Sequence, residues 1–77
     1  MYITVIEILQ KIKPGIDYIY ETDLVTKGIL ESLEILQLIS ALSDEFDIHI
    51  PLPYIRPENL NSVDQICKMI QNILDEE

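Results

Sequence analysis

The run Ser32-Leu33-Glu34-Ile35-Leu36-Gln37-Leu38-Ile39-Ser40-Ala41-Leu42-Ser43-Asp44-Glu45-Phe46 carries the strongest helical signal in the chain. Leu38, Ile39, Leu42 and Phe46 recur at helical spacing, and Leu33, Ile35 and Leu36 widen the apolar stripe beyond what a single core face takes. The spacing predicts a helix over 32–46 whose one face is core and whose remaining leucines, with Ser40, meet something else. Ahead of it, Gly28-Ile29-Leu30-Glu31 supplies a glycine-containing turn. Ser32 then stands at the helix start, where a serine hydroxyl commonly caps unpaired backbone N–H groups, so spacing alone makes it an N-cap.

Outward from that helix, Val5, Ile8, Leu9 and Ile12 keep helical spacing and Pro14-Gly15 stops them, which predicts a first helix over about 3–13. Residues 14–31 form a long connection of a kind uncommon in compact domains unless it is functional or internally packed. Its Ile16, Ile19, Leu24, Val25, Ile29 and Leu30 are expected to fold over the core, with room for a short helical turn. Downstream, Pro51 and Pro53 forbid a continuing helix. Arg56-Pro57-Glu58-Asn59-Leu60 reads as one short turn with proline at the first helical position. Ser62-Val63-Asp64-Gln65 fits a capping box, and Val63, Ile66, Cys67, Ile70, Ile73 and Leu74 share a face of a last helix. The fold class is therefore all-α, a small bundle of three main helices plus one short helix.

A chain of 77 residues is one domain, 1–77, with a single modest core. Its net charge of −9 disfavours nucleic acid and anionic membranes, which reward clustered Lys and Arg, and makes basic protein surfaces the natural complement. Cys67 is the only cysteine, so no intramolecular disulfide is possible. Residues 1–12 are apolar but lack a basic leader and a small-residue cleavage site, and no run approaches the roughly 20 apolar residues of a membrane span. The expected address is the cytoplasm, without stable membrane insertion, and the expected state a monomer.

Ser32, His49 and several aspartates raise the thought of a hydrolase, but no Gly-x-Ser-x-Gly elbow surrounds Ser32 and His49 sits in a proline-bounded loop. Asp44, Glu45, Asp47 and His49 lack calcium-loop glycine and zinc spacing, so a solvated acidic helix end is expected and no metal. Asp44 and Glu45 also stand at the wrong end of the helix for its dipole. Cys67, on an apolar stripe, is expected as a buried structural thiol, and Tyr18, Tyr20 and Tyr54 as cover for the core.

The box Gly28-Ile29-Leu30-Glu31-Ser32-Leu33, then Leu38, Ala41-Leu42 and Phe46-Asp47-Ile48-His49-Ile50-Pro51 at the expected distance, resembles the acyl carrier protein family, D-alanyl and peptidyl carriers included. The resemblance spans about residues 9–74. It implies an acyl-carrier-protein-like bundle that is not itself an enzyme. It also implies that Ser32 receives 4'-phosphopantetheine from coenzyme A and carries acyl intermediates as thioesters for fatty acid or secondary metabolite biosynthesis. Glu31 corresponds to the family's recognition aspartate, with the charge kept one methylene farther out. Leu33, Leu36, Gln37, Ser40 and Asp44 correspond to partner-docking positions. The implied partners are a phosphopantetheinyl transferase, an acyl- or aminoacyl-activating ligase and downstream acyltransferases. Gln37, Ser40 and Ser43 depart from the acidic or methionine residues usual in fatty-acid-synthesis carriers, and the segment Ile55-Arg56-Pro57-Glu58-Asn59-Leu60-Asn61-Ser62 looks more like free-standing D-alanyl or aminoacyl carriers. The alternative of another class is an unmodified acidic helical module that binds a basic partner.

Overall fold

The computed structural model describes residues 1–76. Among the described residues four α-helices follow in order: α1 (Tyr2–Ile12), α2 (Ser32–Phe46), α3 (Pro57–Leu60) and α4 (Val63–Glu76), with a 3₁₀ turn at Leu52–Tyr54 between α2 and α3. Three main helices and one short one thus make a small all-α bundle. In it α1 packs on both α2 and α4, and α3 packs on α4.

Val5 and Leu9, one turn apart, put α1 into the core, with Ile6, Ile8 and Ile12 packed beside them. The helix ends one residue before the expected boundary because Lys13 precedes Pro14 and is held extended (φ −143°, ψ 93°). Leu38 and Leu42 bury the inner face of α2, each contributing about 1.5–3 kcal/mol by the area it removes from water. In α4, Val63, Ile66, Ile70 and Ile73 are buried as expected, and Met69 joins them. Cys67 and Leu74 lie at the margin of that face, packed against the core but half-buried. The start of α4 keeps one arm of its expected box, the Gln65 N–H donating to Ser62 Oγ at 3.1 Å. Pro57 takes the first position of α3, where its missing N–H has no consequence. Pro53 also falls early in the 3₁₀ turn, so the proline-rich segment turns once instead of running fully extended.

The connection between α1 and α2 contributes core. Leu24 and Leu30 are buried, Ile16, Val25 and Ile29 pack beside them, and the Leu30 N–H donates to the Leu24 carbonyl at 2.8 Å. Tyr18 is buried as well. Its hydroxyl donates to the Lys13 carbonyl at 2.5 Å, an oxygen the end of α1 leaves without a helical partner, and lies 3.3 Å from the Leu9 carbonyl, which already accepts the Lys13 N–H at 2.8 Å. Two expectations fail here, since Ile19 is 62% and Tyr20 79% exposed. A tight turn, in which the Tyr20 and Glu21 N–H groups donate to the Asp17 carbonyl at 3.2 and 3.0 Å, projects that pair outward. Tyr54 does pack against the core.

The far side of the connection is fastened by Asn61, in the link between α3 and α4. Its Oδ1 accepts the N–H groups of Val25 (2.9 Å) and Thr26 (3.0 Å), its Nδ2 donates to Thr26 Oγ1 (2.9 Å), and its carbonyl accepts the Leu24 N–H (3.0 Å). Gly28 follows at φ +72°, a left-handed conformation that glycine adopts without steric cost, and turns the chain toward α2.

Candidate functional site

The N-cap of α2 is Glu31, extended at φ −91° and ψ 173°, and Ser32 is the first residue inside the helix. The expectation that Ser32 caps the helix is therefore corrected by one position. The physical reason is Glu34. Three residues past the cap, its carboxylate accepts the Glu31 backbone N–H at 2.9 Å, the reaching-back arm of a capping box. The Ile35 N–H then donates to the Glu31 carbonyl at 2.9 Å, opening the helical ladder. Glu34 also meets Lys13 Nζ at 3.7 Å, which brings a cation from the end of α1 to the head of α2. Ser32 is exposed at that head.

The five positions singled out along α2 fall on one stripe. Leu33, Leu36, Gln37, Ser40 and Asp44 are spaced by three, one, three and four residues, and all five are exposed. Leu33 is 67% and Leu36 63% exposed, so both leucines are available at the surface. At about 100° per residue this stripe lies opposite the Leu38 and Leu42 face. Glu31 is exposed at its upper end, and Glu45 and Asp47 stand exposed beside its lower end. Asp47 ends the helix in the left-handed conformation (φ 51°, ψ 51°), and the Ile48 N–H donates to the Ser43 carbonyl at 3.1 Å. His49 is exposed between buried Ile48 and Ile50.

Sequence spacing does not by itself place a groove beside this stripe. Ile8, Lys11 and Ile12 of α1 and Ala41, Asp44 and Glu45 of α2 line a volume of about 330 Å³ open to solvent. Its sequence signals are weak: each helix supplies an i, i+3, i+4 triplet, and Ala41 is the one small side chain among the six that line it. Elsewhere, burial raises the Cys67 thiol above its ordinary pKa, with Asp64 adding to the effect and the chain's amino terminus opposing it. Such a thiol is a poor nucleophile at neutral pH. Among the described residues no cluster of three His, Cys, Asp or Glu is arranged to hold a metal ion, and no helix is long and apolar enough to cross a membrane.

Comparison with protein-family models, with curated proteins and with solved structures gives no match to this chain.

Proposed function

We propose that this chain is a carrier protein that bears 4'-phosphopantetheine on Ser32 and presents the acyl groups loaded on it to partner enzymes through the exposed stripe of α2. The observation that supports this most is the pairing of an exposed serine hydroxyl at the first position of a 15-residue helix with a stripe of exposed residues running away from it. Glu31 and Glu34 already serve the cap, which leaves the Ser32 hydroxyl available for modification.

The residues present fit the group. A phosphodiester on Ser32 would sit at the positive end of the α2 dipole beside backbone N–H groups. Lys13, within 3.7 Å of Glu34, offsets one of the two neighbouring carboxylates. The group supplies a terminal thiol on which acyl thioesters are carried, and the protein supplies position and docking. Glu31, exposed immediately before Ser32, offers a carboxylate to a basic groove of the modifying transferase. Leu33 and Leu36 offer the apolar contact, and Gln37, Ser40 and Asp44 its polar flank. Gln37 and Ser40 leave the middle of this face uncharged, unlike fatty-acid-synthesis carriers, and the likeness of residues 55–62 to free-standing D-alanyl or aminoacyl carriers supports an acyl- or aminoacyl-activating ligase as the loading partner.

Intact-mass measurement after incubation with coenzyme A and a broad-specificity phosphopantetheinyl transferase tests the reading. The wild type is expected to gain one phosphopantetheine and the Ser32→Ala variant none. A folded wild type that gains nothing, beside a control carrier that is modified, overturns it and leaves an acidic module docking through Leu33 and Leu36.

A further inference from the structure

The groove between α1 and α2 is a surface separate from the modification site. Ala41 lies nine residues beyond Ser32 (41 − 32), which at about 100° per residue is half a turn around the helix. Ile8, Ile12 and Ala41 form its floor and Lys11, Asp44 and Glu45 its rim. Ala41, whose side chain ends at Cβ, is the smallest of the lining side chains. At about 330 Å³ the groove is at the lower limit of ligand pockets, room for one large side chain and its immediate flank.

The rim carries two carboxylates against one ammonium. Asp44 and Glu45 are exposed in the last turn of α2, where the helix dipole disfavours negative charge. Among the described residues no Lys or Arg lies within salt-bridge distance of either. Their field adds to a chain of net charge −9. An apolar slot rimmed in this way complements an aliphatic or aromatic side chain flanked by Arg or Lys, and repels the anionic headgroups of a membrane.

We infer that the α1–α2 groove is a docking site for a basic protein segment that inserts one bulky apolar side chain over Ile8, Ile12 and Ala41 while its Arg or Lys pairs with Asp44 and Glu45. Asp44 also belongs to the exposed stripe of α2, so a partner can span both surfaces. The inference does not require that Ser32 be modified.

The probe is a short alanine-based helical peptide with one phenylalanine and an arginine one turn to either side, titrated into the isotope-labelled full chain and followed by NMR. Wild type and Ser32→Ala chains are run in parallel, which makes the result independent of any modification. Saturable shifts at Ile8, Ile12, Ala41, Asp44 and Glu45 are expected in both. Binding is expected to weaken about tenfold or more when Asp44 and Glu45 are both changed to Lys. It should weaken similarly when the peptide's phenylalanine becomes alanine. The charge-reversed chain remains folded because cations suit that helix end, and Ala41→Phe, which fills the slot, serves as a second variant checked by spectral dispersion. No saturable binding overturns the inference. So do shifts confined to Leu33 and Leu36, or an affinity indifferent to these changes.

Discussion

Replacing Asn61 with alanine removes three side-chain hydrogen bonds, to the Val25 N–H at 2.9 Å, the Thr26 N–H at 3.0 Å and Thr26 Oγ1 at 2.9 Å. The fourth link, from the Leu24 N–H to the Asn61 carbonyl, is main chain and survives. A net worth of about 0.5–1.5 kcal/mol applies to each bond, with the two at Thr26 at the low end because water replaces them. The Val25 N–H is part-buried and costs more to leave unpaired. The sum is about 2 kcal/mol, and for a domain of this size each kcal/mol moves Tm by about 4–8 °C. Thermal unfolding followed by far-UV circular dichroism should therefore show a fall of about 8–16 °C. Asn61→Asp should lose less, because a carboxylate still accepts both backbone N–H groups and the Thr26 hydroxyl can turn to donate. Hydrogen exchange should locate the damage, with Val25 and Thr26 amides losing protection before the helices do. A loss under about 0.5 kcal/mol for Asn61→Ala, or equal losses for both variants, would refute the claim that this side chain fastens the connection.

Ser32→Ala should change stability by no more than about 0.5 kcal/mol in denaturant unfolding, since the cap is Glu31; a loss near 1 kcal/mol would restore the serine as a cap. Asp47→Gly should raise stability by about 0.5–1 kcal/mol, because glycine takes the left-handed φ of 51° without strain and a charge leaves the negative end of the α2 dipole. A urea midpoint that falls would count against this. Burial, with Glu34 adding to it, holds the Tyr18 hydroxyl above its ordinary pKa of 10.0. The unfolded chain then ionises first, so Tyr18's contribution is whole below pH 10 and lost as pH rises toward its folded value. A Tyr18→Phe variant, less stable at neutral pH, should show a flatter decline above that pH in unfolding midpoints than wild type.

The long helices were legible because their apolar spacing is periodic, and α2 matches its expected span of 32–46 at both ends. Its cap lies one residue before the position that serine's general preference points to, because the Glu34 carboxylate accepts the Glu31 N–H and makes Glu31 the cap. In residues 14–31 there is no period to read. Leu24 and Leu30 could not be told from Ile19 and Tyr20 until the turn at Asp17 and the Asn61 fastening, 35 and 36 residues away in sequence, set which side faces in. Met69 does not stand out in the sequence because the apolar stripe of α4 also reads through Cys67, which lies only at the margin of the core. The exposure of Leu33 and Leu36 did follow from spacing, since Leu38 and Leu42 leave no inner place for them. The groove is only faintly legible, in the triplets of α1 and α2 and in Ala41, because it depends on how the two helices cross.

Because its buried leucines belong to the same core as the helices, the α1–α2 connection is uneven ground for protein engineering. Its outermost point is the exposed pair Ile19 and Tyr20, where a reporter peptide could be spliced in at the loss of one solvent-facing turn. The same insertion between Leu24 and Leu30 would part the hydrogen bond that joins them and lift two side chains from the interior. Tolerance to splicing thus changes within five residues, from Ile19 to Leu24, of a segment with no helix or strand to mark the border.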